Sequence, residues 1–359
     1  MDPAALLPIP DTIPVPWGWF QVLLLLTFTI HILLMNVMFG SAFIALISHF
    51  RRGVISAPCT ESVSRTLPFI IAFTVNFGVA PLLFVQVLYG HFIYTSSILM
   101  AVYWLAVVGL VVSAYGLSYL FKYRCDKLGL ARVPVLMTIV LLFATIALAF
   151  VNNLSLMQMP SSWVRYFEEP RGLLHGLQDP MLLPRYLHFL TASIAVGGLG
   201  IAGYFHWRQQ RGDWGGMEWV RIGCRWFSFA TMVNIGIGLW FLFSLPQGIL
   251  NLTIPDGQLL AAALGGGLVL AVPAIRAGLA GRVVAAVWWA LGTVVLMVLA
   301  RDLLRRALLA PWFSPSQLKI EPSFAPLILF LAAFVLGMAL IAWMVTFSLK
   351  NSTTKGGRS

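Results

Sequence analysis

Acidic residues are scarce in this chain. There are twelve Asp and Glu among 359 residues, and all of them lie outside the long apolar runs. Carboxylates inside a membrane mark proton relays and ion paths, so their absence argues against a carboxylate-based pump or proton-coupled transporter. Lys and Arg are confined to the ends of the same runs, at Lys122, Arg185 and Arg225. Cysteine is nearly absent: Cys59, Cys125 and Cys224 are the only three, with no CxxC or CxxCH pair. That excludes a covalently attached c-type haem, an iron–sulfur site and a disulfide framework. A basic n-region is missing from the opening residues, so the first apolar run is expected to insert directly. Charged residues together make up 10%, against about 25% in soluble domains.

What is present is hydrophobic, at 60% of residues. Nine runs are long enough for a bilayer, which needs about 20 residues per helix. They lie near 18–49, 66–93, 97–122, 133–155, 183–206, 222–247, 257–275, 283–300 and 324–349. The chain is expected to be an all-α membrane protein with nine transmembrane helices. The first run is overlong, and its PWGWF opening suits the interface.

The net charge of +11 might suggest nucleic acid, but its distribution does not. Sixteen of the 23 Lys and Arg fall on one side of the nine-span trace, from Arg51, Arg52 and Arg65 to Lys350, Lys355 and Arg358. This is the positive-inside bias. It puts the N-terminus outside and the C-terminus in the cytoplasm, as expected for a multi-pass protein of a bacterial inner membrane. The excess charge is a topology signal, and the partner it implies is the lipid bilayer.

Two stretches match. TFTIHILLMNVMFGSAFIALISHF at 27–50 carries His31 and His49; PRYLHFLTASIAVGGLGIAGYFHW at 184–207 carries His188 and His206. The histidine pairs are offset by 157. Asn76 with Asn234, Gly78 with Gly236 and Gly90 with Gly248 are offset by 158. The expected organisation is two four-helix repeats, 1–182 with an outer loop and 183–308. Residues 309–359 then form an outer loop, a ninth helix and a cytoplasmic tail. The Pro-rich segment between spans four and five, with Trp163, Tyr166 and Phe167, is expected to lie on the membrane as short helices.

With buried acids and bases removed, histidine is the titratable residue left at depth. His31 and His188 suit axial ligation of a b-type haem, because neutral imidazole binds iron and survives burial once bonded. The bland alternative is a hydrogen-bonded packing residue. His91 and His175 complete an outer set. His49 and His206 lie about 27 Å further along their helices and read as interfacial. Gly197, Gly198, Gly200 and Gly203 could admit a flat macrocycle or simply close helix packing. Asn76, Asn234 and Gln86 could bond a propionate or water, or act as interhelical glue. Arg301, Arg305 and Arg306 sit at helical spacing beyond span eight, on an expected continuation of its helix. They could neutralise propionates, receive an acidic partner or face lipid headgroups.

These residues resemble the large subunit of cytochrome bd quinol oxidase. The resemblance rests on HILLMNVMFGSAFIAL, FGVA at 77–80, Gly90, NLSLMQMPSSW, and DPMLLPRYLHFLTASIAVGG. It covers about residues 25–205. It implies that His31 corresponds to the high-spin-haem ligand and His188 to the low-spin haem b ligand. This chain departs from the family where Val85 and Gln86 stand for a Met-Glu pair. It also lacks an acid in span eight and a Met in span seven, and NLTIPDG replaces the long quinol-binding loop. It resembles a short member without that loop, a branch expected to work with c-type cytochromes or inside larger redox complexes. A second ligand for a haem at His188 would then come from His91, His31 or a partner chain.

The reading that follows is a haem-b-binding membrane subunit of a respiratory electron-transfer complex. It would relay electrons between a quinone or c-type cytochrome and partner membrane subunits. One alternative is a terminal oxygen or nitrogen-oxide reductase with an altered haem site. The other is a haem-free membrane anchor for a peripheral redox protein.

Overall fold

A computed structural model describes residues 3–52, 57–124, 127–168, 170–325, 328–329, 332–333, 335–340, 342–344 and 346. Among these residues eight helices are long and apolar enough to cross a membrane. They are α1 Trp17–Arg52, α2 Ala57–Leu99, α3 Ala101–Arg124, α4 Arg132–Gln158, α5 Leu182–Gln210, α6 Glu218–Phe243, α7 Pro255–Leu279 and α8 Val283–Leu309. The chain is therefore a multi-pass, all-helical protein. In hydrocarbon the backbone must bond within each segment, and a helix does this without partners. The ninth run lies partly outside the described residues; from Ala325 on it is helical where described. Cys125 also lies outside them.

Helix ends differ from the hydropathy runs where polar residues are buried. α2 begins at Ala57 rather than 66 because Cys59, Thr60 and Ser64 of its first turns pack inside. α8 runs on to Leu309, nine residues past the end of its apolar run. With 36 residues, α1 is about 54 Å long at 1.5 Å per residue, well beyond a 30 Å hydrocarbon layer.

Small residues set the packing. α1 crosses α5 with Gly40 against Gly197, so closely that a Cβ on either would collide with the other's backbone. One turn away, Ser193 Oγ donates to Asn36 Oδ1 at 2.8 Å. Both pairs are separated by 157 residues. Helix association in lipid relies on such close approach and on interhelical hydrogen bonds. Gly198 and Gly223 bring α5 onto α6 in the same way. Ala274 and Ala277 of α7 pack with Ala286 and Ala290 of α8.

The end of the bundle away from the basic loops carries a cap. Ile13 pairs with the 319–321 strand segment, donating to the Lys319 carbonyl and accepting from the Glu321 amide, both at 2.9 Å. Pro160–Phe167 forms a 3-10 helix. Its Trp163 is buried and donates Nε1 to the Leu156 carbonyl at 2.8 Å. This segment thus forms a short helix, as expected, and is anchored in the cap through Trp163 while Phe167 stays exposed. Trp163, Phe92, Phe313, Leu24 and Leu88 share one cluster there.

Candidate functional site

The two histidines singled out by spacing sit in two similar seats. His31, half-buried on α1, donates Nδ1–H to the Thr74 carbonyl of α2 at 3.0 Å. That bond fixes the tautomer and leaves Nε2 as the free acceptor nitrogen, as in histidine ligands whose other nitrogen is anchored. Its ring lies against Gly78, where a Cβ would stand 2.8 Å from Cε1 and 3.0 Å from Nδ1.

His188, half-buried near the start of α5, faces α6 in the same manner. Unlike His31 Nδ1, its Nδ1 is buried without a hydrogen-bond partner, although the backbone of Asn234 lies nearby. Its ring packs on Gly238, where a Cβ would come 3.3 Å from Cε1 and Nδ1. Backbone contact and glycine are four residues apart in both seats, Thr74 with Gly78 and Asn234 with Gly238. The glycine opposite His188 is therefore Gly238, not the Gly236 of the sequence pairing, which has nothing within 4 Å of an added Cβ. Gly248 also falls out of that pairing. It occupies a turn at φ 88° after α6, whereas Gly90 lies within α2.

The two rings face different helices, and no contact among the described residues joins them. His91 is elsewhere. It packs between Phe92 and Phe313, with ring centroids at 4.3 and 4.5 Å, so neither it nor His31 touches His188. His175 lies in the loop, its carbonyl accepting from Arg165. His206 contacts Gln210 at 3.2 Å. Asn76 is exposed and donates to the Ala72 carbonyl of its own helix at 2.9 Å. Gln86 is half-buried on α2.

The arginines after span eight are part of α8, and this corrects the picture of a bundle without buried charge. Arg305 and Asp302 are buried, at 1% and 3% exposure, and form an ion pair. Arg306 Nε lies 3.5 Å from the other Asp302 oxygen. The Arg305 guanidinium stands 4.7 Å over the ring of Tyr89, the residue where α2 leaves helical geometry (φ −135°, ψ 31°). Arg301 stands 4.1 Å over the ring of Phe28, whose centroid is 6.4 Å from that of His31. Arg185 is also buried. It donates to Ser155 Oγ at 3.0 Å and stands 5.3 Å over Phe241. Spacing could not reveal Thr74, Gly238, Tyr89 or Arg185, because each acts through a neighbour on another helix.

No three His, Cys, Asp or Glu side chains among the described residues converge as a metal-binding group. A bare ion would need such a set, whereas haem iron needs only one or two ligands from the protein. His31, with Nδ1 anchored on Thr74 and Nε2 left free beside Gly78, has the donor such a group needs; His188 lies beside Gly238 without that anchor. No family model, curated protein or solved structure matches the chain.

Proposed function

We propose that the chain is a haem-b-binding membrane subunit of an electron-transfer complex, with His31 and His188 as the ligands of two separate sites. The observation that carries this is the pair of related seats: an imidazole set against a glycine and the backbone four residues before it, on α1/α2 and on α5/α6, with the hydrogen bond made at His31. Haem held there supplies a one-electron carrier. Thr74 holds His31 Nδ1, so that Nε2 is presented. Gly78 and Gly238 give the rings room.

The same geometry supports an internal repeat. Asn36 with Ser193 and Gly40 with Gly197 are equivalent positions that meet one another, as residues do across a twofold axis. The two halves, with a ninth helix following, would lie N-terminus out in a bacterial inner membrane, consistent with the basic loops on one side. Redox partners are a c-type cytochrome or quinone on the capped side and further membrane subunits. Purified protein should show a b-type α-band after dithionite reduction and a pyridine haemochrome of the same class. A chain purified from haem-replete cells with neither signal would refute the reading and leave a haem-free anchor.

A further inference from the structure

The arginines at the capped end carry more charge than their surroundings balance. Arg185, Arg301 and Arg305 come from α5 and α8, and the charges of Arg185 and Arg305 both act on Arg301. Asp302 answers Arg305 and Arg306, and Asp179 acts on Arg185. Four guanidiniums therefore meet two carboxylates. Arg305 is buried, its Nε and Nη1 make no hydrogen bond of normal geometry, and the Tyr89 side chain is the polar group beside it. An unbalanced buried charge is strongly unfavourable, and a buried guanidinium short of acceptors adds the cost of its lost hydration. Such a set is stable when an anion completes it. The guanidinium fork matches carboxylate and phosphate oxygens, and each of the three arginines is set over an aromatic ring, Phe28, Tyr89 or Phe241.

We propose that Arg185, Arg301 and Arg305 form a site for the anionic oxygens of a bound amphiphile, joining α5 to α8 at the capped end. The shared chemistry is an oxyanion on an apolar body. Its source is either the carboxylates of a tetrapyrrole seated at His31, which rests on the haem reading above, or the phosphate of a lipid, which does not.

The test compares full-length wild type with Arg185→Gln, Arg301→Gln, and Arg171→Gln as an exposed control, all purified in one neutral detergent. Bound tetrapyrrole is assayed by pyridine haemochrome and bound phosphatidylglycerol by mass spectrometry of solvent extracts. Each cluster variant should retain its amphiphile about tenfold more weakly, the scale of one lost charge-assisted hydrogen bond, and Arg301→Lys should recover part of it. Should Gln variants fail to fold, delipidated wild type is melted with phosphatidylglycerol or phosphatidylcholine vesicles, and with added haemin. A shift with phosphatidylglycerol or haemin, but not phosphatidylcholine, supports the site. Loss of tetrapyrrole alone assigns the carboxylate source. Loss of lipid from a protein without tetrapyrrole upholds the site and refutes the haem reading. Tetrapyrrole and lipid both retained equally by wild type and cluster variants overturn the site and leave the haem reading standing. Neither ligand bound and no selective shift overturns both.

Discussion

Adding one methyl group at Gly78 should disturb the His31 seat, and the same change two sites along the other half separates structure from sequence pairing. In Gly78→Ala the new Cβ would lie 2.8 Å from His31 Cε1, closer than real Cβ contacts allow. The ring must move, and the 3.0 Å bond to Thr74 is lost or stretched. Overpacking costs about 1–3 kcal/mol, and a lost hydrogen bond about 0.5–1.5 kcal/mol. The gain from Gly to Ala in a helix interior, roughly 1 kcal/mol, offsets part of this. A net loss of about 0.5–3.5 kcal/mol is expected from these terms. Gly238→Ala meets His188 at 3.3 Å and should cost less, on the order of 1 kcal/mol. Gly236→Ala meets nothing within 4 Å and should be neutral or slightly stabilising. Unfolding in mixed micelles of detergent and SDS measures all three. If Gly236→Ala proves more damaging than Gly238→Ala, the assignment of Gly238 to the His188 seat is wrong.

Other expectations concern packing and charge. Gly40→Ala and Gly197→Ala should each force α1 from α5 and cost about 3 kcal/mol, at the upper end of overpacking effects; their double mutant should cost less than the sum, because one interface is opened twice. Asp302→Asn should destabilise by about 3–5 kcal/mol, since Arg305 would stay buried without its partner. The pair Asp302→Asn/Arg305→Met should recover much of that loss in the same micelle assay. Asp213 accepts from Arg208 Nε at 2.8 Å. That bond, aided by the Gly215 amide, holds its carboxyl below the ordinary carboxylate value. A depressed carboxylate contributes stability above its unfolded pKa and loses it as pH falls through the lower folded value. Thermal melts from pH 6 to pH 3 should therefore fall less steeply in Asp213→Asn; an unchanged slope contradicts the pairing.

The spans were legible because an apolar run of bilayer length has few alternatives. Charge broke that rule in α8. Arg301, Asp302, Arg305 and Arg306 ended the hydropathy run, yet their i, i+3 and i, i+4 spacing lets them pair on one helix and continue it to Leu309. Two contacts between α1 and α5, Asn36 with Ser193 and Gly40 with Gly197, also join residues 157 apart. The offset in the following helices did not carry over. The seats relate Thr74 to Asn234 and Gly78 to Gly238, an offset of 160 rather than 158. Sequence identity at Gly236 pointed to a residue with no contact. How one helix is rotated and shifted against the next is decided by interhelical packing, which a single-helix pattern does not encode.

On the function proposed above, His31 and His188 each present a nitrogen to a b-type haem. Reduced-minus-oxidised spectra of wild type, His31→Ala, His188→Ala and His206→Ala, each normalised to folded protein, test it most directly. The expected result is two separable losses: a different part of the b-type signal disappears in His31→Ala and in His188→Ala, while His206→Ala keeps the wild-type spectrum. A full b-type spectrum in both His31→Ala and His188→Ala would contradict the account.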